Sequence, residues 1–199
     1  MKPLTDIRVL DLTNVLAGPF ACHQLAHMGA EVIKVEAVGR GDLARQLGAD
    51  PELSQNNMGV SFLAQNAGKK SGTVNLKNPD GKALFEKLVT TADVVVENFR
   101  PGVMGRLGVG YDRLKEIKPD LIYCAISGFG QDRKNAQIHP KNKAHAAPGR
   151  AHDTAPVPPQ IRCVAPRDRS PDRWHNLRKT GPHWSWPLSL FSQFQIGAV

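Results

Sequence analysis

Long apolar runs are missing from this 199-residue sequence. None approaches the roughly 20 residues that cross a bilayer, so no membrane-spanning helix and no membrane partner are expected. Cysteine is scarce. Cys22, Cys124 and Cys163 are an odd number without metal-ligand spacing, so neither a disulfide framework nor a metal site is expected. Met1 to Asp6 leads straight into a short apolar segment with no small-residue cleavage site behind it, which is not the pattern of a secretory signal. A soluble protein of the reducing cytoplasm is the expectation. The sequence also lacks G-x-G-x-x-G after its first apolar segment. Glu36, placed where dinucleotide folds keep their ribose-binding acid, is therefore not read as part of a nicotinamide site.

Charge of one sign is absent from the first two-thirds, where acidic and basic residues balance. Residues 133–199 hold 11 Lys/Arg and 3 Asp/Glu, so the whole net charge of +8 lies there. That segment also contains Trp174, Trp184, Trp186 and five of the seven His. Pro148, Pro156, Pro158, Pro159, Pro166, Pro171, Pro182 and Pro187 would interrupt most elements placed in it. Such composition buries too little surface to offset chain ordering, and the segment is expected to be largely disordered. A basic, Trp-bearing tail can neutralise nucleic-acid phosphates, but without a folded groove no specific nucleic-acid partner is expected. Two units follow: 1–132, and a Pro/Arg/His-rich tail over 133–199.

What is present in 1–132 is an alternation. Ile7 to Leu12 is a strand-like run, followed by a loop over Asn14 to Pro19. Phe20, Cys22, Leu25 and Met28 fit one helical face, and Gly29 fits a left-handed helix stop. Val32 to Val35 predicts a second strand, Gly72 to Leu76 a third, Val94 to Val96 a fourth and Leu121 to Ile126 a fifth. Asn78-Pro79 predicts an N-cap and first helical residue, with Ala83, Leu84, Leu88 and Val89 behind it at helical spacing. Short helical segments are expected from Pro101 through Met104 and over Leu114 to Ile117. Strands that are apolar throughout, separated by helices, predict an α/β fold: a parallel sheet with helices flanking both faces. In such sheets ligands bind beyond the carboxyl ends of strands, here 13–19, 36–42, 97–102 and 127–131.

Several blocks in this half carry a family resemblance. They are Arg8-Val9-Leu10-Asp11-Leu12-Thr13, then Val15-Leu16-Ala17-Gly18-Pro19-Phe20, then Gly29 to Glu36 and Gly41-Asp42. Leu76 to Gly81, Ala92 to Met104 and Ile126 to Gln131 continue in order. Together, over residues 4–132, they resemble the family III CoA-transferases of CaiB/BaiF type. That family includes formyl-CoA and carnitine CoA-transferases and α-methylacyl-CoA racemases. The resemblance implies a Rossmann-like large domain, here present in part, and an interlocked homodimer. It also implies transfer of CoA from an acyl-CoA to a small carboxylic acid through an aspartyl intermediate, covalent catalysis by a carboxylate. Coenzyme A enters as a substrate, and no prosthetic group is implied.

By the same resemblance Val15, Leu16 and Ala17 contact CoA from the first strand–helix loop. Val74, Asn75, Leu76 and Lys77 line its nucleotide portion. Asn98 and Phe99 lie beside the pantetheine arm and Arg106 near the phosphates, which guanidinium groups chelate well. An arginine often follows the second strand's Glu in this family; here Ala37 stands there, and Arg40 comes slightly later. Read without the resemblance, Val15 to Pro19 is a plain connection, Lys69, Lys70 and Lys77 are solvated, Arg106 is an exposed ion-pair partner, and Cys22 and Cys124 are inert core thiols.

No catalytic residue is assigned. Asp168 lies near the distance at which the transferases keep their nucleophile, but the surrounding Ala165 to Asp172 does not match that context. The racemases use a His and an Asp after the same block; this sequence has His139-Pro140 without a patterned acid. His139, His145 and His152 have no metal spacing. The break after Gln131 or Asp132 is read as a truncated or frameshifted gene, leaving an inactive chain. A racemase-like enzyme and a non-catalytic CoA-binding module are the alternatives.

Overall fold

The computed structural model describes residues 2–128 and, as backbone, a strand at 160–164. Six strands form one sheet in the order β3-β2-β1-β4-β5-β6. β1 (Arg8–Asp11), β2 (Glu31–Glu36), β3 (Lys70–Thr73), β4 (Val94–Glu97) and β5 (Ile122–Ser127) are parallel to their neighbours. β6 (Gln160–Val164) closes the edge antiparallel to β5, with Ser127 opposite Gln160 and Cys124 opposite Cys163. The rest of the segment expected to be disordered, together with Asp168, His139, His145 and His152, lies outside the described residues.

Alternate residues of the strands feed two cores, as the pleat requires. Val9, Val32, Val96 and Ile126 pack beneath Cys22, Ala21 and Leu25 of α1 (Ala17–His27). Leu10, Leu12, Val95, Tyr123 and Ala125 face the opposite way. There they meet Phe85 and Val89 of α4 (Pro79–Val89), Met104 of α5 (Val103–Arg106) and Leu114 of α6 (Tyr111–Ile117). Phe85 and Val89 are fully buried, each worth about 2–3 kcal/mol of transfer free energy. The parallel sheet with flanking helices is therefore as expected.

Local signals also hold. Gly29 ends α1 at φ +105°. Asn78 caps α4 through its side chain to the Asp80 amide at 2.8 Å, with Pro79 next. Other details differ. Phe20 is 54% exposed rather than on the buried face of α1, and α4 buries Phe85 instead of Leu84. The third strand starts and ends earlier than its apolar residues suggested, and all four of its residues are exposed. The stretch from Ala37 to Gly59, for which the sequence suggested no element, holds a 3₁₀ turn (Leu43–Gln46) and α2 (Pro51–Gln55), and α3 (Val60–Asn66) follows. Among the described residues no helix is long and apolar enough to cross a membrane.

Candidate functional site

Chain direction across the sheet reverses between β1 and β4: β1 leads outward to β2 and β3, whereas β4 leads to β5. Loops leaving the carboxyl ends of two such strands part around a crevice, the usual ligand position in doubly wound sheets. Here the two loops are Leu12 to Leu16 and Asn98 to Gly102.

Side chains from other elements hold almost every backbone polar group of the first loop. Asp11 Oδ1 accepts from the Thr13 amide at 2.9 Å and from the Thr13 hydroxyl. Lys34 Nζ donates to Thr13 O at 2.8 Å. Asn98 both accepts from the Asn14 amide and donates to Asn14 O, each at 2.8 Å. Asp42 Oδ1 accepts from the Val15 amide at 3.0 Å. The Gln65 amide, assigned with its nitrogen toward the loop, donates to Val15 O at 2.7 Å and Leu16 O at 3.2 Å. Val15 sits at φ +71°, a region that β-branched residues rarely occupy. α1 then starts with no side-chain cap on its amides, leaving them and the positive end of the helix dipole for an external acceptor.

Beneath the loop lie two buried ion pairs. Lys34 Nζ is 2.8 Å from Asp42 Oδ2, with side chains 1% and 0% exposed. Lys69 Nζ is 2.8 Å from Asp11 Oδ2 and also donates to Pro19 O and Asn66 Oδ1. Lys69 is thus a buried strut between β1, α1 and α3, not the solvated lysine expected from sequence. Burial lowers its pKa, with Asp11 opposing that shift. Glu36 accepts two bonds from Arg45, one from Ser71 and one from the Asp42 amide. Burial pushes its carboxyl upward, but these four donors prevail and hold it at about 2. Glu97, at the end of β4, is the opposite case. Burial raises it to about 7, against the weaker pull of the Phe99 amide (2.7 Å) and Tyr123 hydroxyl (3.3 Å).

The residues expected from sequence fall along the carboxyl rim, in unequal settings. Val15, Leu16 and Ala17 are exposed on the first loop and the start of α1, Leu16 at 61%. Asn98 and Phe99 are half-buried across the crevice, and Asn98 touches the first loop directly. Arg40 is exposed on the loop after β2. Val74 is buried in the core, with its amide extending the β2–β3 ladder to Glu36 O. Asn75 and Lys77 are exposed, Leu76 is half-buried, and Arg106 is exposed at the end of α5. Lys34, Asp42, Asp11 and Glu97 escaped the sequence reading as site-building groups. The signal for Lys34, Asp11 and Glu97 was a charged residue inside, or at the end of, an apolar strand, and for Asp42 its place in the Gly41-Asp42 block. Of the cysteines taken as core thiols, Cys22 is buried, and burial drives its thiol pKa far upward. Cys124 is instead disulfide-bonded. Among the described residues no cluster of three or more His, Cys, Asp or Glu is arranged to hold a metal.

The family description "CoA-transferase family III" matches residues 4–147, extending past Asp132 where the recognisable blocks stop. An acyl-CoA transferase of Fusarium pseudograminearum is 50% identical over 133 residues, covering 64% of this chain and 29% of that protein. The succinyl-CoA:glutarate CoA-transferase of Mus musculus is 48% identical over 131 residues, covering 66% and 29%. A hypothetical protein of Mycobacterium tuberculosis is similar in structure, with a TM-score of 0.64 and 41% identity over 81% of this chain and 44% of that one. The chain spans under a third of the length of these two curated relatives. On its fold, its blocks and this match, the chain belongs to family III of the CoA-transferases.

Proposed function

We propose that residues 1–132 are the coenzyme A-receiving portion of a CoA-transferase large domain, serving transfer of CoA from an acyl-CoA to a small carboxylic acid. The observation that carries this reading is the side-chain-held loop at the strand-order reversal, with Val15, Leu16 and Ala17 on one side and Asn98 and Phe99 on the other. Exposed apolar side chains there suit the pantetheine arm. The uncapped start of α1 suits a carbonyl or anionic oxygen. Asn75 and Lys77 lie beyond β3, three strand spacings or about 14 Å from the loop after β4, along the same rim. That separation suits a long, multiply charged ligand laid across the strand ends, with Arg40 and Arg106 as exposed phosphate partners.

Transfer in this family runs through an aspartyl intermediate, and the proposal is that this chain alone does not complete it. The carboxylates at the described strand ends are already engaged: Asp11, Glu36 and Asp42 in ion pairs, Glu97 by Phe99 and Tyr123. The basic, Pro-rich composition beyond the family match, which ends at residue 147, supports replacement of the segment that carries the nucleophile in complete members. The partner of a complete member is a second copy in an interlocked homodimer, and the compartment proposed is the cytoplasm.

Calorimetry on the full chain tests binding: CoA is expected to bind and acetate is not. Incubation with succinyl-CoA and glutarate is expected to yield no glutaryl-CoA. Turnover that disappears in Asp168→Ala would overturn the inactive reading, and absence of any CoA binding would overturn the reading of the site.

A further inference from the structure

We propose that Asp42 is a positioning residue for the CoA-receiving loop, holding Val15 in its left-handed conformation while Lys34 fixes the Asp42 carboxylate. The inference rests on the function proposed above and identifies what gives the first loop its shape. Asp42 is fully buried, and each of its carboxylate oxygens has a separate task. Oδ1 accepts from the Val15 amide at 3.0 Å and from the Ala44 amide at 2.9 Å, joining the first loop to the 3₁₀ turn. Oδ2 faces Lys34 Nζ at 2.8 Å, and the same ammonium reaches back to Thr13 O. The Asp42 amide is tied in turn to Glu36 Oε2 at 2.7 Å. The carboxylate is thus held by two amides on Oδ1 and by the Lys34 charge beside Oδ2, a close ion-pair contact without hydrogen-bond geometry.

A valine at φ +71° is strained, and such a conformation persists only where its surroundings over-determine it. Asp42 Oδ1 is the acceptor of the Val15 amide, and the neighbouring Thr13 and Asn14 are fixed independently by Lys34 and Asn98. Removing that acceptor leaves the Val15 amide without its partner and lets Val15 return to negative φ. This would swing Leu16 and the start of α1 out of register with Asn98. Burying an ion pair gives little net stability by itself; geometry imposed on a loop is a more specific use of it.

The test compares the full-length chain with Asp42→Ala and Asp42→Asn, measuring CoA affinity by calorimetry and hydrogen exchange at the Val15 amide. Asp42→Asn keeps an Oδ1 acceptor but sets its amide nitrogen against the buried Lys34 ammonium, so it is read on a Lys34→Met background, where it is expected to stay within threefold of Lys34→Met in both readouts. Asp42→Ala is expected to lose CoA affinity at least tenfold and Val15 protection by a similar factor. Should Asp42→Ala fail to fold, Lys34→Met/Asp42→Ala removes both charges, leaves no unpaired buried ion, and is expected to show the same losses. Full Val15 protection, or unchanged CoA affinity, in a folded alanine variant overturns the proposal. So does a loss in Asp42→Asn on the Lys34→Met background as large as that in Lys34→Met/Asp42→Ala, which would mean that the acceptor on residue 42 does not shape the loop. If the unsubstituted chain does not bind CoA, the proposed function fails first, and Val15 exchange still decides separately whether Asp42 shapes the loop.

Discussion

Asn98 grips Asn14 at both backbone atoms, accepting from its amide and donating to its carbonyl, each at 2.8 Å across 84 residues of sequence. A primary amide is the side chain that can do both at once, because it offers a donor and an acceptor at fixed spacing. Asn98→Ala is expected to lower stability by about 2 kcal/mol, two partly buried hydrogen bonds being lost. Asn98→Asp retains the acceptor alone and should fall between. Urea denaturation reads both, and alanine and aspartate variants that unfold at the wild-type urea concentration would show the grip to be incidental.

Glu97 makes stability fall with rising pH. Its carboxyl titrates near 7 in the folded protein against 4.5 ordinarily, chiefly through burial. Above 4.5 the unfolded chain sheds this proton while the folded one keeps it. The contribution is thus fully present below about 4.5 and lost as pH rises through 7. Glu97→Gln abolishes the titration. Relative to wild type, the variant should gain up to about 3 kcal/mol between pH 4 and pH 8. Denaturant midpoints at those two pH values suffice, and parallel curves would rule the effect out.

Lys69 is expected to be the most sensitive of the buried cations to single substitution. Lys69→Met strands the Asp11 carboxylate, which is fully buried, at a cost of about 3–5 kcal/mol. Adding Asp11→Asn removes the stranded charge while keeping an acceptor for the Thr13 amide, so the double variant should recover at least half of the loss. Thermal unfolding of the three chains provides the comparison, and no recovery in the double variant would count against charge stranding as the cause.

Gly18 brings α1 hard against the first loop. A Cβ there would stand 2.3 Å from Thr13 Cβ. Gly18→Ala should therefore destabilise by about 1–3 kcal/mol, even though alanine favours helix. Gly105→Ala, where the added carbon meets nothing within 4 Å, is the control and should be neutral or mildly stabilising. Matching melting temperatures for the two variants would refute the contact.

The parts of the fold legible in sequence were those governed by local chemistry. β1, β2, β4 and β5 announce themselves because both of their faces are covered, which forces apolar runs such as Val94-Val95-Val96. Gly29 and Asn78-Pro79 mark helix ends through backbone rules that need no tertiary context. β3 was displaced because an exposed edge strand, Lys70-Ser71-Gly72-Thr73, has no reason to be apolar. The family blocks pointed to residues along the carboxyl rim, and they favoured surface positions over what lies beneath. Lys34, Asp42, Lys69 and Asp11 read as ordinary charges in sequence. Their partners lie between 8 and 58 positions away, and only folding shows which charge meets which.

Because β6 runs against β5, Ser127 and Gln160 face each other at the end of the sheet where Val15 and Asn98 also lie. A parallel sixth strand would have begun at the far end of the molecule. With this polarity, the chain leaves β5 and enters β6 on one and the same rim, so Ser127 and Gln160 both belong to the carboxyl edge of the sheet.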